Sequence, residues 1–127
     1  MTVLVEVRPA AGTLRMREES DLGLVSQVKA GDVEAFSELV RRHEHAVFRL
    51  AYRFMREVPG AQDMTQEAFL RAFRLLNSFR GDCQLATWLY RITCNVCLTE
   101  LARRKHRGEV ALEMLRTGNG TPGRVDP

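Results

Sequence analysis

Asn77-Ser78-Phe79-Arg80-Gly81-Asp82-Cys83-Gln84-Leu85-Ala86-Thr87-Trp88-Leu89-Tyr90-Arg91-Ile92 places three aromatics, two arginines, a Gly-Asp turn and a helix start in one short segment. Gln66-Glu67-Ala68-Phe69-Leu70-Arg71-Ala72-Phe73-Arg74 runs shortly before it. A core rarely needs aromatics and arginines interleaved across a turn. A surface that stacks on bases and neutralises phosphates does. Single-stranded nucleic acid is therefore the first ligand class to weigh.

Working outward, the rest of the chain reads as helical. Ser20 or Asp21 caps a short helix carrying Leu22, Leu24, Val25 and Val28, and Gly31 stops it. Asp32 caps a longer one whose apolar positions Phe36, Leu39, Val40, Val47, Leu50, Ala51 and Phe54 recur at steps of three and four. Pro59-Gly60 is expected to break it. A third helix holds Met64, Ala68, Phe69, Ala72, Phe73 and Leu76 and ends near Asn77. The fourth is expected from about Leu85 to Lys105, burying Leu85, Trp88 or Leu89, Ile92, Val96 and Leu101, with at most one further turn between Val110 and Leu115. No alternating strand pattern and no internal repeat is visible. The expected fold is all-α, a compact bundle of three to four helices at 19–107. Flanking it are a flexible leader at 1–18, inside which Met16 is a candidate start, and a flexible tail at 108–127 containing Gly118-Asn119-Gly120-Thr121-Pro122-Gly123.

Composition fits one domain. The chain has 127 residues, 45% hydrophobic and 28% charged, with a formal charge of +3. That balance permits a nucleic-acid partner without requiring one, because a modest net charge can hide a basic face. No apolar run approaches the roughly 20 residues of a membrane span, and Val3-Leu4-Val5 is too short for a signal-peptide core. Membrane insertion is not expected, and the cytoplasm is the expected compartment.

Little supports catalysis or a cofactor. His43 and His45 are two apart and point to different sides of a helix, so they do not share a metal. No Walker loop, H-E-x-x-H or Gly-x-Ser-x-Gly motif is present. Cys94 and Cys97 form a C-x-x-C within a helical pattern, with Cys83 alone. Small apolar residues on a helix is the plainer reading, and a thiol redox sensor the rival one.

Two further patterns carry alternatives. Asp63, Gln66, Glu67 and Leu70 share one face of the third helix. They read either as a solvated acidic first turn or as a docking face for a basic partner. Arg103-Arg104-Lys105-His106-Arg107 reads either as ordinary helix C-terminal cations or, with Arg71, Arg74, Arg80 and Arg91, as basic charge bracketing the aromatic turn. Phe73 is expected in the core and Trp88 is divided between core and contact. Phe79, in a loop where burial is harder to arrange, is the preferred base-contacting ring. Asn95, one turn beyond Arg91, offers an amide to a base edge.

Asp32-Val33-Glu34-Ala35-Phe36, Asp63-Met64-Thr65-Gln66-Glu67-Ala68-Phe69, Asn77 through Gly81, Thr87-Trp88-Leu89-Tyr90-Arg91-Ile92 and Asn95 occur in order. From about 20 to 107 the chain resembles the second conserved region of bacterial sigma factors of the extracytoplasmic-function group. The resemblance implies a non-catalytic promoter-recognition subunit of RNA polymerase. It implies that Asp63, Gln66, Glu67 and Leu70 dock on the clamp helices of the largest polymerase subunit. It implies a loop from Phe79 through Arg80, Gly81 and Asp82 to Cys83 that captures an extruded base of the −10 promoter element, with Ile92 and Asn95 completing the pocket. Trp88, Tyr90 and Arg91 then fall at melting and duplex-edge positions on the non-template strand. Sequestration by an anti-sigma factor is a further implied partnership, and a helical protein-interaction module without independent DNA reading is the alternative.

The chain departs from the resemblance in two places. Full members carry a second, helix-turn-helix domain that this sequence does not contain, so a single domain or a truncated protein is the expectation. Cys83 stands where many relatives have a small hydroxylated residue, and a thiol is a weak hydrogen-bond donor.

Overall fold

A computed structural model of the protein describes residues 19–117. Helix α1 spans Asp21–Lys29, α2 Val33–Met55, α3 Val58–Leu75 and α4 Leu85–Thr117, with a 3-10 turn at Leu76–Ser78 after α3. There is no strand among the described residues. The leader at 1–18, with its candidate start at Met16, and the linker from Gly118 onward lie outside them.

The helix starts follow local chemistry. Ser20 Oγ accepts from the Gly23 amide at 3.0 Å, and Asp32 Oδ1 accepts from the Glu34 amide at 3.1 Å. Each satisfies a donor that the first helical turn leaves without a partner. Gly31, at φ +108°, lets the chain leave α1 in a conformation that a side chain would oppose.

The boundary between α2 and α3 differs from the expected one. The break falls at Arg56 and Glu57, not at Pro59-Gly60: Arg56 takes a left-handed conformation (φ 61°), and its amide donates to the Tyr52 carbonyl. Pro59 then sits in the first turn of α3, where a missing amide proton costs nothing because no acceptor awaits it. Helix α4 is also longer than expected, continuing unbroken through Gly108 to Thr117 instead of fading near Lys105.

Helix α2 is the hub. It packs against α1, α3 and α4, while α3 also packs on α4. The core joins Leu24 and Val25 of α1, Leu39, Val47 and Met55 of α2, and Phe69 of α3 to Leu85, Leu89, Ile92 and Val96 of α4. Ala35, Ala51, Ala61, Ala68 and Ala72 are fully buried, and their small side chains let the helix axes approach closely. Leu101 is only partly buried.

One charged group lies within this apolar frame. Glu38 is buried on α2 and receives hydrogen bonds from Arg41 at 3.2 Å and Arg42 at 3.1 Å. Arg42 also donates to Asp21 at 3.0 Å, and His43 meets the other Asp21 oxygen at 3.0 Å. A buried carboxylate is tolerable only with such partners. The network clamps the start of α1 onto α2.

Two aromatic expectations are reversed. Phe73, expected in the core, is 45% exposed and meets Phe36 edge-on at 5.0 Å on the outer flank of α2 and α3. Phe79, expected at the surface, is 3% exposed and belongs to the core.

Candidate nucleic-acid interface

The segment between α3 and α4 is built from its backbone outward. Ser78 Oγ donates to the Leu75 carbonyl at 2.6 Å and the Phe79 amide donates to Leu76 at 3.0 Å, closing the 3-10 turn. Lys29 Nζ, from the last turn of α1, donates to the Phe79 carbonyl at 2.7 Å. With its polar backbone atoms paired, residue 79 can sit inside without an orphaned group. Its ring then packs on Trp88, centroids 5.0 Å apart and planes tilted by 48°. This is why burial of a loop aromatic, hard to foresee locally, is achieved here. Phe79 is the floor of the loop and is not presented to a ligand. Trp88 lies half-buried above it, both core and surface.

Beyond Phe79 the chain turns outward. Arg80, Gly81 and Asp82 are exposed and Cys83 half-buried. Gly81 is at φ +84°, a conformation suited to glycine. The Gln84 carbonyl accepts from the Thr87 and Trp88 amides at 3.0 and 3.1 Å, starting α4. Two turns along, Arg91 reaches back so that its Nη1 lies 3.8 Å from Cys83 Sγ, laying a cation along the loop. Tyr90 is 52% exposed beside it. Asn95 is exposed one turn further along α4, whereas Ile92 is buried in the core.

A hollow opens at this loop. Gly81, Asp82 and Cys83 form one wall, and Ser20, Asp21 and Leu22 of α1 with Arg42 of α2 form the other. Ile92 and Asn95 do not line it, so the structure does not bring them together with Gly81–Cys83 as one pocket. The wall from α1 was missed in the sequence. Its only local sign was the capping pair Ser20-Asp21, which says nothing of a neighbour some 60 residues away.

Charge is distributed unevenly. Arg103, Arg104 and Arg107 converge on the single carboxylate of Glu100, at 2.8, 2.9 and 3.9 Å. The bond to Glu100 holds the Arg104 guanidinium above its ordinary pKa. Lys105 pairs with Glu109 at 4.0 Å. The basic run of α4 is thus partly neutralised by its own helix. Arg71 pairs with Glu67 at 3.4 Å. Among the described residues Arg74 and Arg80 have no carboxylate within ion-pair distance.

A second surface lies on α3. Asp63, Gln66 and Leu70 stand on the rim of an apolar cleft between α2 and α3 whose walls include Val33, Phe36, Phe48 and Phe73. Leu70 is 50% exposed, and Glu67 lies beside the cleft with Arg71. The acidic residues were legible in the sequence, but the apolar floor was not, because Phe73 was assigned to the core.

The cysteines are not arranged as a redox pair. Cys97 is fully buried, Cys94 half-buried, and all three thiols are free. Burial pushes the Cys97 thiol up to about 11, leaving it protonated and unreactive near neutrality. Among the described residues no group of three or more His, Cys, Asp or Glu side chains is placed to hold a metal, and no helix is long and apolar enough to cross a membrane.

Comparison with known proteins gives the family. Residues 39–107 match the Sigma-70 region 2 family. The RNA polymerase sigma-H factor of Pseudomonas aeruginosa is 42% identical over 92 residues, covering 72% of this chain and 48% of the relative. The extracytoplasmic-function sigma-E factor of Escherichia coli is 43% identical over 90 residues, covering 69% of this chain and 46% of the relative. The chain thus spans about half the length of these relatives. Among solved structures, an engineered region 2 of sigmaE in complex with GTAAAA superposes with a TM-score of 0.67 at 38% identity, covering 71% of this chain and 94% of that one. CnrH in complex with the cytosolic domain of CnrY superposes with a TM-score of 0.59 at 31% identity, covering 83% and 69%. With the family match spanning more than half of the chain, the chain belongs to the Sigma-70 region 2 family.

Proposed function

We propose that this chain is the promoter-engaging domain of an extracytoplasmic-function sigma factor. On this reading it binds core RNA polymerase, recognises the non-template strand of the −10 element and helps to melt it, with no chemistry of its own. The observation that carries the reading is the relative bound to GTAAAA, nearly all of which is matched by this chain at 38% identity. The exposed loop Arg80–Cys83, backed by Arg91, supplies cationic and small-residue surface suited to one unstacked base. Tyr90 and Trp88 supply aromatic surface, Arg71 and Arg74 supply charge at the end of α3, and Asn95 supplies an amide further along α4. Phe79 and Ile92 act from beneath as packing that holds the loop and helix in place.

Asp63, Gln66, Glu67 and Leu70 would dock on the clamp helices of the polymerase's largest subunit, with the α2–α3 cleft adding apolar area. A protein inhibitor is a further partner on this reading, supported by the relative held by the cytosolic domain of CnrY. The place of action is the cytoplasm, where the polymerase is.

The test is fluorescence anisotropy with single-stranded oligonucleotides, paired with capture of core polymerase. Wild type should bind a GTAAAA-type strand with an affinity that falls with salt, and Asn95→Ala should weaken that binding while leaving polymerase capture intact. Equal affinity for every sequence, wild type and variant alike, would defeat the DNA assignment.

A further inference from the structure

Further basic charge that no carboxylate claims lies on α2, outside the residues discussed so far. Arg49 and Arg53, four apart and hence one turn apart on the same face, have no ion-pair partner among the described residues. They line a groove between α2 and the start of α4, together with Leu50, Ala86, Leu89 and Tyr90. Holding exposed arginines together with no counter-ion raises local positive potential, which an anionic ligand relieves. Tyr90, 52% exposed, gives the same groove an aromatic ring on which a base can stack.

The groove adjoins the hollow at the loop. Ala86 lines both, and Arg42 of the hollow is followed by His43 of the groove. The two depressions differ in character. The hollow carries Asp82 beside the paired Asp21 and Arg42, so it offers phosphate no net positive charge and suits a neutral base, while the groove carries two unneutralised guanidinium groups. The step from Arg49 to Arg53 is about 6 Å along the helix axis, of the order of the step between neighbouring phosphates on an extended strand.

We propose that Arg49 and Arg53 form a phosphate rail that receives the single strand as it leaves the loop and passes Tyr90. This deepens the DNA-binding reading and rests on it. The rail does not read sequence. It lengthens the bound strand and sets its direction across the α2–α4 face.

The experiment compares a labelled GTAAAA hexamer with a dodecamer that carries the same hexamer at its centre, titrated against the whole chain at several salt concentrations. Wild type should bind the dodecamer more tightly and with the steeper salt dependence. R49A/R53A should keep hexamer affinity within about twofold of wild type and lose the gain from length. Its log affinity against log salt should be shallower by about 1.4, two phosphates at about 0.7 each. R49K/R53K should restore the slope, and unchanged helical circular dichroism excludes misfolding. If R103A/R107A, whose charges are held by Glu100, flattens the slope equally, any two cations suffice and the rail is overturned. An R49A/R53A dodecamer curve that overlays wild type also overturns the rail while the loop site stands. Failure of wild type to bind either strand overturns the DNA reading and the rail with it.

Discussion

Lys29 Nζ donates to the carbonyl oxygen of Phe79 at 2.7 Å, joining the last turn of α1 to the first residue of the candidate recognition loop across 50 residues of sequence. The bond explains how an aromatic at the head of a loop enters the core, and it makes loop order dependent on α1. Lys29→Met should leave that carbonyl without its donor and cost about 1–3 kcal/mol. A thermal melt is expected to fall by several degrees, and amide exchange should rise first at Arg80–Cys83. Unchanged exchange there would mean the loop holds itself.

Phe79→Ala should behave as a core variant. Loss of a buried phenyl ring costs about 3–5 kcal/mol, enough to consume much of a small domain's stability. Trp88 is the only tryptophan in the chain and touches that ring, so its fluorescence reports the change directly. DNA and polymerase binding should fall together. Selective loss of DNA binding with an unaltered melt would return Phe79 to the ligand.

Glu67→Lys should impair capture of core polymerase while leaving single-strand affinity near wild type. Its partner Arg71 is only 3.4 Å away, but both side chains are more than a third exposed, so the lost pair costs stability little. A charge reversal on a docking face costs considerably more in binding than that pair does in folding. Pull-down with core enzyme measures the effect, and retention of full capture would move the docking face elsewhere.

Cys97 makes stability depend on alkaline pH. Burial raises its thiol to about 11 in the folded chain, above the ordinary value of 9.0 that the unfolded chain keeps. The folded state therefore holds this proton more tightly. Its contribution is complete below the unfolded value and is lost as pH rises toward and through the folded one, at a cost of about 2–3 kcal/mol. Urea titrations across that window should show the loss, and Cys97→Ala should remove this part of it. Alkylation of Cys97 should stay slow until the domain opens.

The sequence was legible wherever a local rule decides structure. Asp32 as a cap, Gly31 as a stop and the three- and four-residue stripe of α2 depend on neighbours within a turn or two, and each is found as read. The misreadings share a different cause. Whether Phe73 or Phe79 enters the core is settled by where α1 and α2 lie in space, and Phe79 needs a donor from Lys29. The end of α2 carries no glycine or proline, because Arg56 itself adopts the left-handed turn. Of the candidate site, the loop and the acidic face were visible as motifs. The unpaired state of Arg49 and Arg53 was not, since it depends on which carboxylates other arginines have already taken.

Glu100 takes three of them. Arg103, Arg104 and Arg107 lean on this one side chain, which makes it a governor of how strongly the long helix attracts any polyanion, whatever its sequence. Glu100→Gln would add a single formal charge yet release Arg103 and Arg107 at once and leave Arg104 only its 3.4 Å contact to Glu57. On the proposed promoter-binding reading, a domain that must leave bulk DNA gains from keeping such groups occupied.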